Sequence, residues 1–283
     1  MCGRFQAAGV FCEGVSEVVG AKRFDPRYYQ LAVQCALLLV GALSLQFTIP
    51  WQNIVAVLVA ALLTQWGFLR VYGLPLQTLS AFNTGFSIII LLYAAHWGWL
   101  ALAACMAIAS KFLIRFHGRH VFNPSNLGIV AVLLATDAAW VAHGKWGQAL
   151  WLGLLLAGFG LVWLLGWRQM LTSLVFMGVY AGLLLARAAW LGDPWAIPLH
   201  QLQNGALLIF TFFMLSDPMT TPQSVAGRIL FGTWVAVLGW VLQFGYFIPN
   251  AFLYALVVSS PLVLLINGRF AGAPFHWPVR SQT

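Results

Sequence analysis

Ser216, Asp217, Pro218, Met219, Thr220, Thr221 and Pro222 interrupt two long apolar runs, and Gly227 and Arg228 follow them. A carboxylate, hydroxyls and two prolines cannot continue a helix through lipid, because proline removes a backbone donor and unpaired polar groups are costly there. Such a stretch persists where it lines a cavity or holds a ligand. A second polar stretch, Phe122, Asn123, Pro124, Ser125 and Asn126, precedes another apolar run, while Asn83, Thr84 and Asn204 open two short ones. Asp217 is a possible proton acceptor. Asn123 and Asp217 also have a simple structural use as helix caps, with Pro124 and Pro218 at first-turn positions. Arg228 either pairs with Asp217 or Thr221 or anchors its helix at the headgroups.

The elements that position these residues follow from composition. With 61% hydrophobic and 7% charged residues, a chain of 283 residues has too little polar surface for a soluble domain and suits a bundle of membrane helices. The expected fold class is all-α, a polytopic membrane protein with about ten transmembrane segments. They run Leu31 to Ile49, Trp51 to Leu69, Leu79 to Ala95, Trp99 to Ile114, Asn126 to Ala142, Gln148 to Gly166, Leu171 to Leu191, Gln203 to Leu215, Arg228 to Phe247, and Asn250 to Ile266. The third and eighth are short for a perpendicular crossing and read as half-helices or as tilted, re-entrant elements. Asn83-Thr84-Gly85 opens the third as Asn204-Gly205 opens the eighth. Phe122-Asn123-Pro124 precedes the fifth as Phe247-Ile248-Pro249-Asn250 precedes the tenth. This spacing suggests two inverted five-segment halves, about 28–142 and 148–268, that build a site from broken helices and their backbone dipoles. Residues 1–27 and 269–283 read as tails, the first without the apolar core of a signal peptide.

Charge orients such a bundle. The net charge of +8 is spread singly over segment ends, which fits topology rather than nucleic acid. An even number of crossings places nearly every Lys and Arg on the side of both termini, so both are expected in the cytoplasm, with the Asn123 and Asp217 stretches at or near that side. Lys111, Arg115 and Arg119 then snorkel to the interface, or attract a phosphate or an acidic partner. Several of the fourteen Trp stand at segment ends, as interfacial belts do. Haem is not expected, because all six His lie at segment ends or in loops. His117 and His120 have no carboxylate or thiol near them in sequence and read as interfacial rather than metal-binding. Cys2, Cys12, Cys35 and Cys105 form neither a disulfide framework nor a zinc pattern.

The strings Lys111 to Gly128 (KFLIRFHGRHVFNPSNLG) and Phe212 to Gly232 (FFMLSDPMTTPQSVAGRILFG) resemble the signature regions of the RnfD/NqrB family. Its members are the D subunit of Rnf-type electron-transport complexes and the B subunit of the sodium-pumping NADH:quinone reductase. The resemblance implies flavin-mediated electron transfer in a bacterial cytoplasmic (inner) membrane, with a redox partner protein or complex subunits. It also implies an FMN esterified to a threonine in an extracytoplasmic loop between the halves. The corresponding loop here, Ala142 to Gly147 (AHGKWG), has no Ser or Thr, so no covalent FMN is expected. What remains is a non-covalent flavin, riboflavin or FMN, or a quinone. Asn83, Thr84, Asn123, Ser125, Asn126, Asn204, Asp217, Thr220, Thr221 and Arg228 would contact its polar edge, and Phe122, Phe82, Phe212 and Phe213 its ring. The alternatives are a transporter or channel for a small solute using the same broken helices, and a cofactor-less scaffold.

Overall fold

The computed structural model describes residues 25–43, 49–141, 151–273 and 275, and Pro26–His276 form one compact unit. Residues 1–24 of the expected tail 1–27, most of the tail 269–283, and the Ala142–Gly147 loop lie outside the described residues. The first helix, α1 (Pro26–Leu43), begins with a proline, where the missing N–H costs nothing. After it come α2 (Trp51–Val71), the short α3 (Leu79–Leu91), strand β1 (Leu92–Ala94) and α4 (Trp97–Leu113). A hairpin of β2 (Arg115–Phe116) and β3 (Arg119–His120) then turns through His117 and Gly118, both at positive φ, the conformation a two-residue hairpin loop demands. Next are α5 (Pro124–Ala135) and β4 (Ala139–Val141), which pairs antiparallel with β1.

The remaining chain forms α6 (Trp151–Leu165), α7 (Trp167–Leu191), α8 (Ala196–Leu202) and α9 (Gly205–Ile209), which runs into a π-helical turn at Phe210–Met214. Then come α10 (Val225–Phe244), α11 (Ala251–Ser259) and α12 (Leu262–Arg269), the last two bent by 49°. Each apolar segment read from sequence overlaps a helix. Among the described residues three helices, α2, α7 and α10, are long and apolar enough to cross a membrane, and a fourth crossing arises if α11 and α12 count as one. The fold is that of a mostly helical membrane protein, as expected, with two small two-stranded sheets among the described residues that the sequence did not predict. The β1/β4 pair forms where the third and fifth segments stop being helical, so α5 ends at Ala135 instead of Ala142. Helix α8 lies between expected segments.

Apolar residues face outward as well as inward, as lipid requires. Along α2, Val55, Val59, Leu63 and Trp66 are exposed on one stripe while Val57, Ala61, Gln65 and Leu69 are buried on another. Trp51, Trp97, Trp140, Trp190 and Trp195, all expected at interfaces, are exposed. Inside, α2 packs on α3 and α4, α4 on α5, and α1 on α3; α7 packs on α10 and the π turn, α10 on α11, and α6 on α9. Helices α5 and α11 touch each other.

Candidate functional site

Two clusters lie at opposite ends of the short run α9 plus π turn. The run is about 15 Å long at 1.5 Å per residue, with Asn204 at its start and Asp217 just past its end. At the Asp217 end, Asn123 caps α5 as expected: its Oδ1 accepts from the Asn126 N–H at 3.1 Å and from Ser125 Oγ at 2.9 Å. Its Nδ2 donates 3.1 Å to the Met214 carbonyl. That contact joins the Phe122–Asn126 stretch to the π turn, and three more π-turn carbonyls are held by side chains. Ser173 Oγ donates to Thr211 O (2.6 Å), Ser216 Oγ to Phe212 O (2.5 Å) and Gln30 Nε2 to Phe213 O (3.4 Å). A π turn breaks the helical ladder, and its carbonyls here are satisfied from outside it.

Asp217 does not cap a helix. Its Oδ1 accepts from the Met219 N–H at 3.0 Å, closing a turn of its own, and α10 is capped instead by Ser224. Thr220 and Thr221 hydroxyls fold back onto the Asp217 carbonyl at 3.3 and 3.2 Å. The reading of His120 as an interfacial residue without a carboxylate is corrected, because β3 carries its Nε2 to 3.2 Å from Asp217 Oδ2. Burial would raise the Asp217 pKa, but the hydrogen bond and charge of His120, the Met219 N–H and the Arg119 guanidinium together hold it below its ordinary value. Arg119 does not snorkel. Its Nε donates to Met219 O (3.0 Å) and its Nη2 to Pro218 O (2.5 Å) and Thr221 O (3.2 Å). Arg228 meets neither Asp217 nor Thr221. It is 4% exposed and donates to Pro222 O (2.8 Å), Gln169 Oε1 (2.6 Å) and Arg168 O, so it clamps the loop to the start of α7.

A polar stripe runs along α3 from the same end. Lys111 Nζ, read from sequence as snorkelling, instead donates to Gln65 Oε1 (2.8 Å) and Ser80 Oγ (2.9 Å). One turn inward, Thr84 Oγ1 donates to Ser80 O (2.9 Å) and Asn83 Nδ2 to Arg27 O (3.2 Å). A further turn on, Ser87 Oγ accepts from Gln34 Nε2 at 2.8 Å and donates to Asn83 O at 2.9 Å. Asn83 Oδ1, Gln34 Oε1 and, on α5, Asn126 Oδ1 are buried without a hydrogen-bond partner. Asn126 spends its Nδ2 on Leu253 O (3.1 Å) in α11.

At the Asn204 end lies a cavity of about 340 Å³. Its wall is aromatic, with Tyr180, Phe210 and Phe252 packed edge-to-face or tilted, and Phe176 behind them. Its polar groups are Gln201, Asn204, Gln243 and Asn250, and no charged residue lines it among the described residues. Asn204 caps α9, accepting from the Ala206 N–H at 2.9 Å. Asn250 stands at the start of α11 in the left-handed region (φ 60°), with its Oδ1 buried and unpartnered. Tyr180 Oη lies 3.0 Å from Gln243 Oε1 and donates to it. Leu91 and Val141, where the β1/β4 ribbon ends, complete the wall.

The predicted site residues therefore divide. Asn83, Thr84, Asn123, Ser125, Asn126, Asp217, Thr220, Thr221 and Arg228 gather at the Asp217 end, and Asn204 at the other. Sequence reasoning missed Tyr180, Gln243 and Phe252, which sit within ordinary apolar or segment-end sequence. It used Asn250 only as a repeat marker, although a polar residue opening a half-helix was the available signal. Among the described residues no three His, Cys, Asp or Glu come together as a metal site.

Broken helices, a buried polar network and a cavity at a half-helix start define a polytopic helical membrane protein built around interior sites. Residues 137–275 match the NQR2, RnfD, RnfE family. The D subunit of the ion-translocating oxidoreductase complex of Sodalis glossinidius (strain morsitans) is 31% identical over 144 residues, 47% of this chain and 40% of that protein. Its counterpart in Alcanivorax borkumensis is 34% identical over 143 residues, 48% and 37% of the two chains. That of Shewanella pealeana is 41% identical over 63 residues, 22% and 18%. The second half of the chain is therefore similar to the RnfD/NqrB family. The matched stretch spans less than half the length of these relatives.

Proposed function

We propose that this chain is a membrane-embedded subunit of an ion-translocating oxidoreductase complex, holding a non-covalent flavin in the Asn204–Asn250 cavity and relaying electrons to partner subunits. The observation that carries the reading is the cavity itself. Aromatic side chains form a slot, and the free Asn250 oxygen, Asn204, Gln201 and Gln243 supply acceptors and donors for a ring edge and for hydroxyls. The starts of α9 and α11 would stabilise negative charge on the reduced ring. A flavin supplies one- and two-electron chemistry there; the protein's residues bind, orient and exclude water. Position adds support: Val141 borders the cavity and immediately precedes the Ala142–Gly147 stretch, where the family resemblance implies a flavin tether that this sequence lacks. The absence of a lining cation among the described residues favours riboflavin over FMN, and a quinone ring fits the same slot.

This reading includes the ten-segment topology in two inverted halves, a bacterial inner membrane and cytoplasmic termini. Its support is the recurrence of packing partners, α1·α3, α2·α3, α2·α4 and α4·α5 beside α6·α9, α7·π turn, α7·α10 and α10·α11. Protein purified in detergent should be yellow, with flavin bands released by denaturation, and Phe252→Ala should lose the colour while keeping the fold. Colourless folded protein overturns the flavin reading and leaves a carrier for a small uncharged solute in the same cavity.

A further inference from the structure

The cavity has a counterpart at the other end of the bundle. It is bounded by a polar pair on α7 and α10, Tyr180 and Gln243 at 3.0 Å, facing the start of short helix α9. At the Asp217 end, a polar pair on α2 and α4, Gln65 and Lys111 at 2.8 Å, faces the start of short helix α3 through Ser80. The plan is shared but the charge is not: Lys111 puts an ammonium where the cavity has an amide.

We propose that Lys111, Ser80 and Asn83 form a binding site for a polyol phosphate, a phosphoryl group carrying hydroxyls on its ester carbon chain. Three observations point there. First, the Lys111 ammonium has three N–H donors but only two neutral acceptors, Gln65 Oε1 and Ser80 Oγ, and no carboxylate in ion-pair contact among the described residues. Asp217 attracts it and Arg27 repels it from beyond contact distance, and Asp217 is already committed to His120 and the Met219 N–H. Second, the N-cap of α3, Thr78, makes no side-chain cap; its carbonyl accepts from the Ala81 and Phe82 N–H groups, which leaves those of Leu79 and Ser80 to meet an anion at the start of the helix. Third, Asn83, 8% exposed and one turn inward on the same face, holds its Oδ1 without a partner. Its amide nitrogen is tied to the Arg27 carbonyl, which only accepts, so the free atom is the oxygen. An anion at Lys111 with a hydroxyl donor a few ångströms deeper satisfies both ends. A bare metal cation does not, because Lys111, Arg27 and the α3 dipole all repel it.

Two sources carry this chemistry, a phosphatidylglycerol headgroup and a soluble sugar or glycerol phosphate. The test is thermal unfolding of the full chain, with glycerol 3-phosphate in detergent and with phosphatidylglycerol against phosphatidylcholine nanodiscs. A shift with glycerol 3-phosphate identifies a soluble source; a shift with phosphatidylglycerol alone identifies the lipid. In either case Lys111→Gln should weaken binding about 10-fold, the worth of one charge-assisted hydrogen bond, and Lys111→Arg should restore part of it. Should Lys111→Gln fail to fold, Ser80→Ala carries the same expectation. No shift with either probe, or unchanged binding in the variants, overturns the site. The flavin reading is independent of this outcome, because its colour reports the other end of the molecule.

Discussion

At the scale of single residues, the chemistry concentrates in Asp217. Its carboxylate accepts from His120 and from the Met219 N–H, and Arg119 adds charge from the same hairpin. Because the folded state lowers its pKa, the group contributes stability above its ordinary value of 3.8 and loses it as pH falls through the still lower folded value. Asp217→Asn should therefore destabilise the protein by about 1–3 kcal/mol at neutral pH, the cost of an unmade charged hydrogen bond. It should also flatten the loss of stability as pH falls below the ordinary value of 3.8, the side on which the lowered pKa places it. Reversible unfolding in mixed micelles at a series of pH values measures both. An equal acid sensitivity in the variant would show that other carboxyls carry it. The sequence made Asp217 conspicuous, because a carboxylate between apolar runs must be explained. It concealed His120 and Arg119, whose partner lies about a hundred residues away and is reached only by folding of the hairpin.

At the scale of elements, the β2–β3 hairpin and the 217–222 loop behave as one latch, since Arg119 holds three carbonyls of that loop. Arg119→Ala removes these bonds without placing a charge in the core. A cysteine introduced at Thr221, which is buried, should then react with a maleimide about 10-fold faster than in the parent, equivalent to roughly 1.4 kcal/mol of lost protection. An unchanged rate would mean that the Arg228 clamp suffices. Helix contacts make a second expectation. A Cβ on Gly128 would fall 2.8 Å from the Ala107 Cβ and against the Ala103 backbone, so α4 and α5 would have to separate. Gly128→Ala should cost about 1–3 kcal/mol, whereas Gly182→Ala, with nothing within 4 Å, should be neutral or stabilising. Element positions were legible because apolar runs and Pro/Gly punctuation are local signals. The β1/β4 pairing was not, because Leu92–Ala94 and Ala139–Val141 are as apolar as the helices they end, and only their pairing across 47 positions makes them strands.

At the scale of the whole molecule, the two sites are related by direction. Helices α3 and α5 begin at the Asp217 end, where Ser80 meets Lys111 and Asn123 meets Met214. Helices α9 and α11 begin at the Asn204 end, where the cavity lies. Paired half-helices pointing opposite ways are what an inverted repeat produces, and sequence hinted at it only through Asn83/Asn204 and Asn123/Asn250, since geometry tolerates nearly complete divergence of the letters between. On the proposed inverted topology, the neutral cavity and the cationic niche would face opposite sides of the membrane. A cysteine at Phe247, 82% exposed beside the cavity, should be labelled by an impermeant maleimide in intact cells. A cysteine at Phe116, 48% exposed on the hairpin, should be labelled only after the cells are broken. Charge predicts that sense, because Arg70, Arg115, Arg168 and Arg269 at the Asp217 end are exposed, whereas at the other end Arg187 is engaged with Asp193 at 3.5 Å and stacked on Phe244. Labelling of both cysteines from the same side would remove the inverted arrangement and with it the relation between the two sites. Labelling in the reversed sense would keep that relation and overturn the cytoplasmic placement of the Asp217 latch.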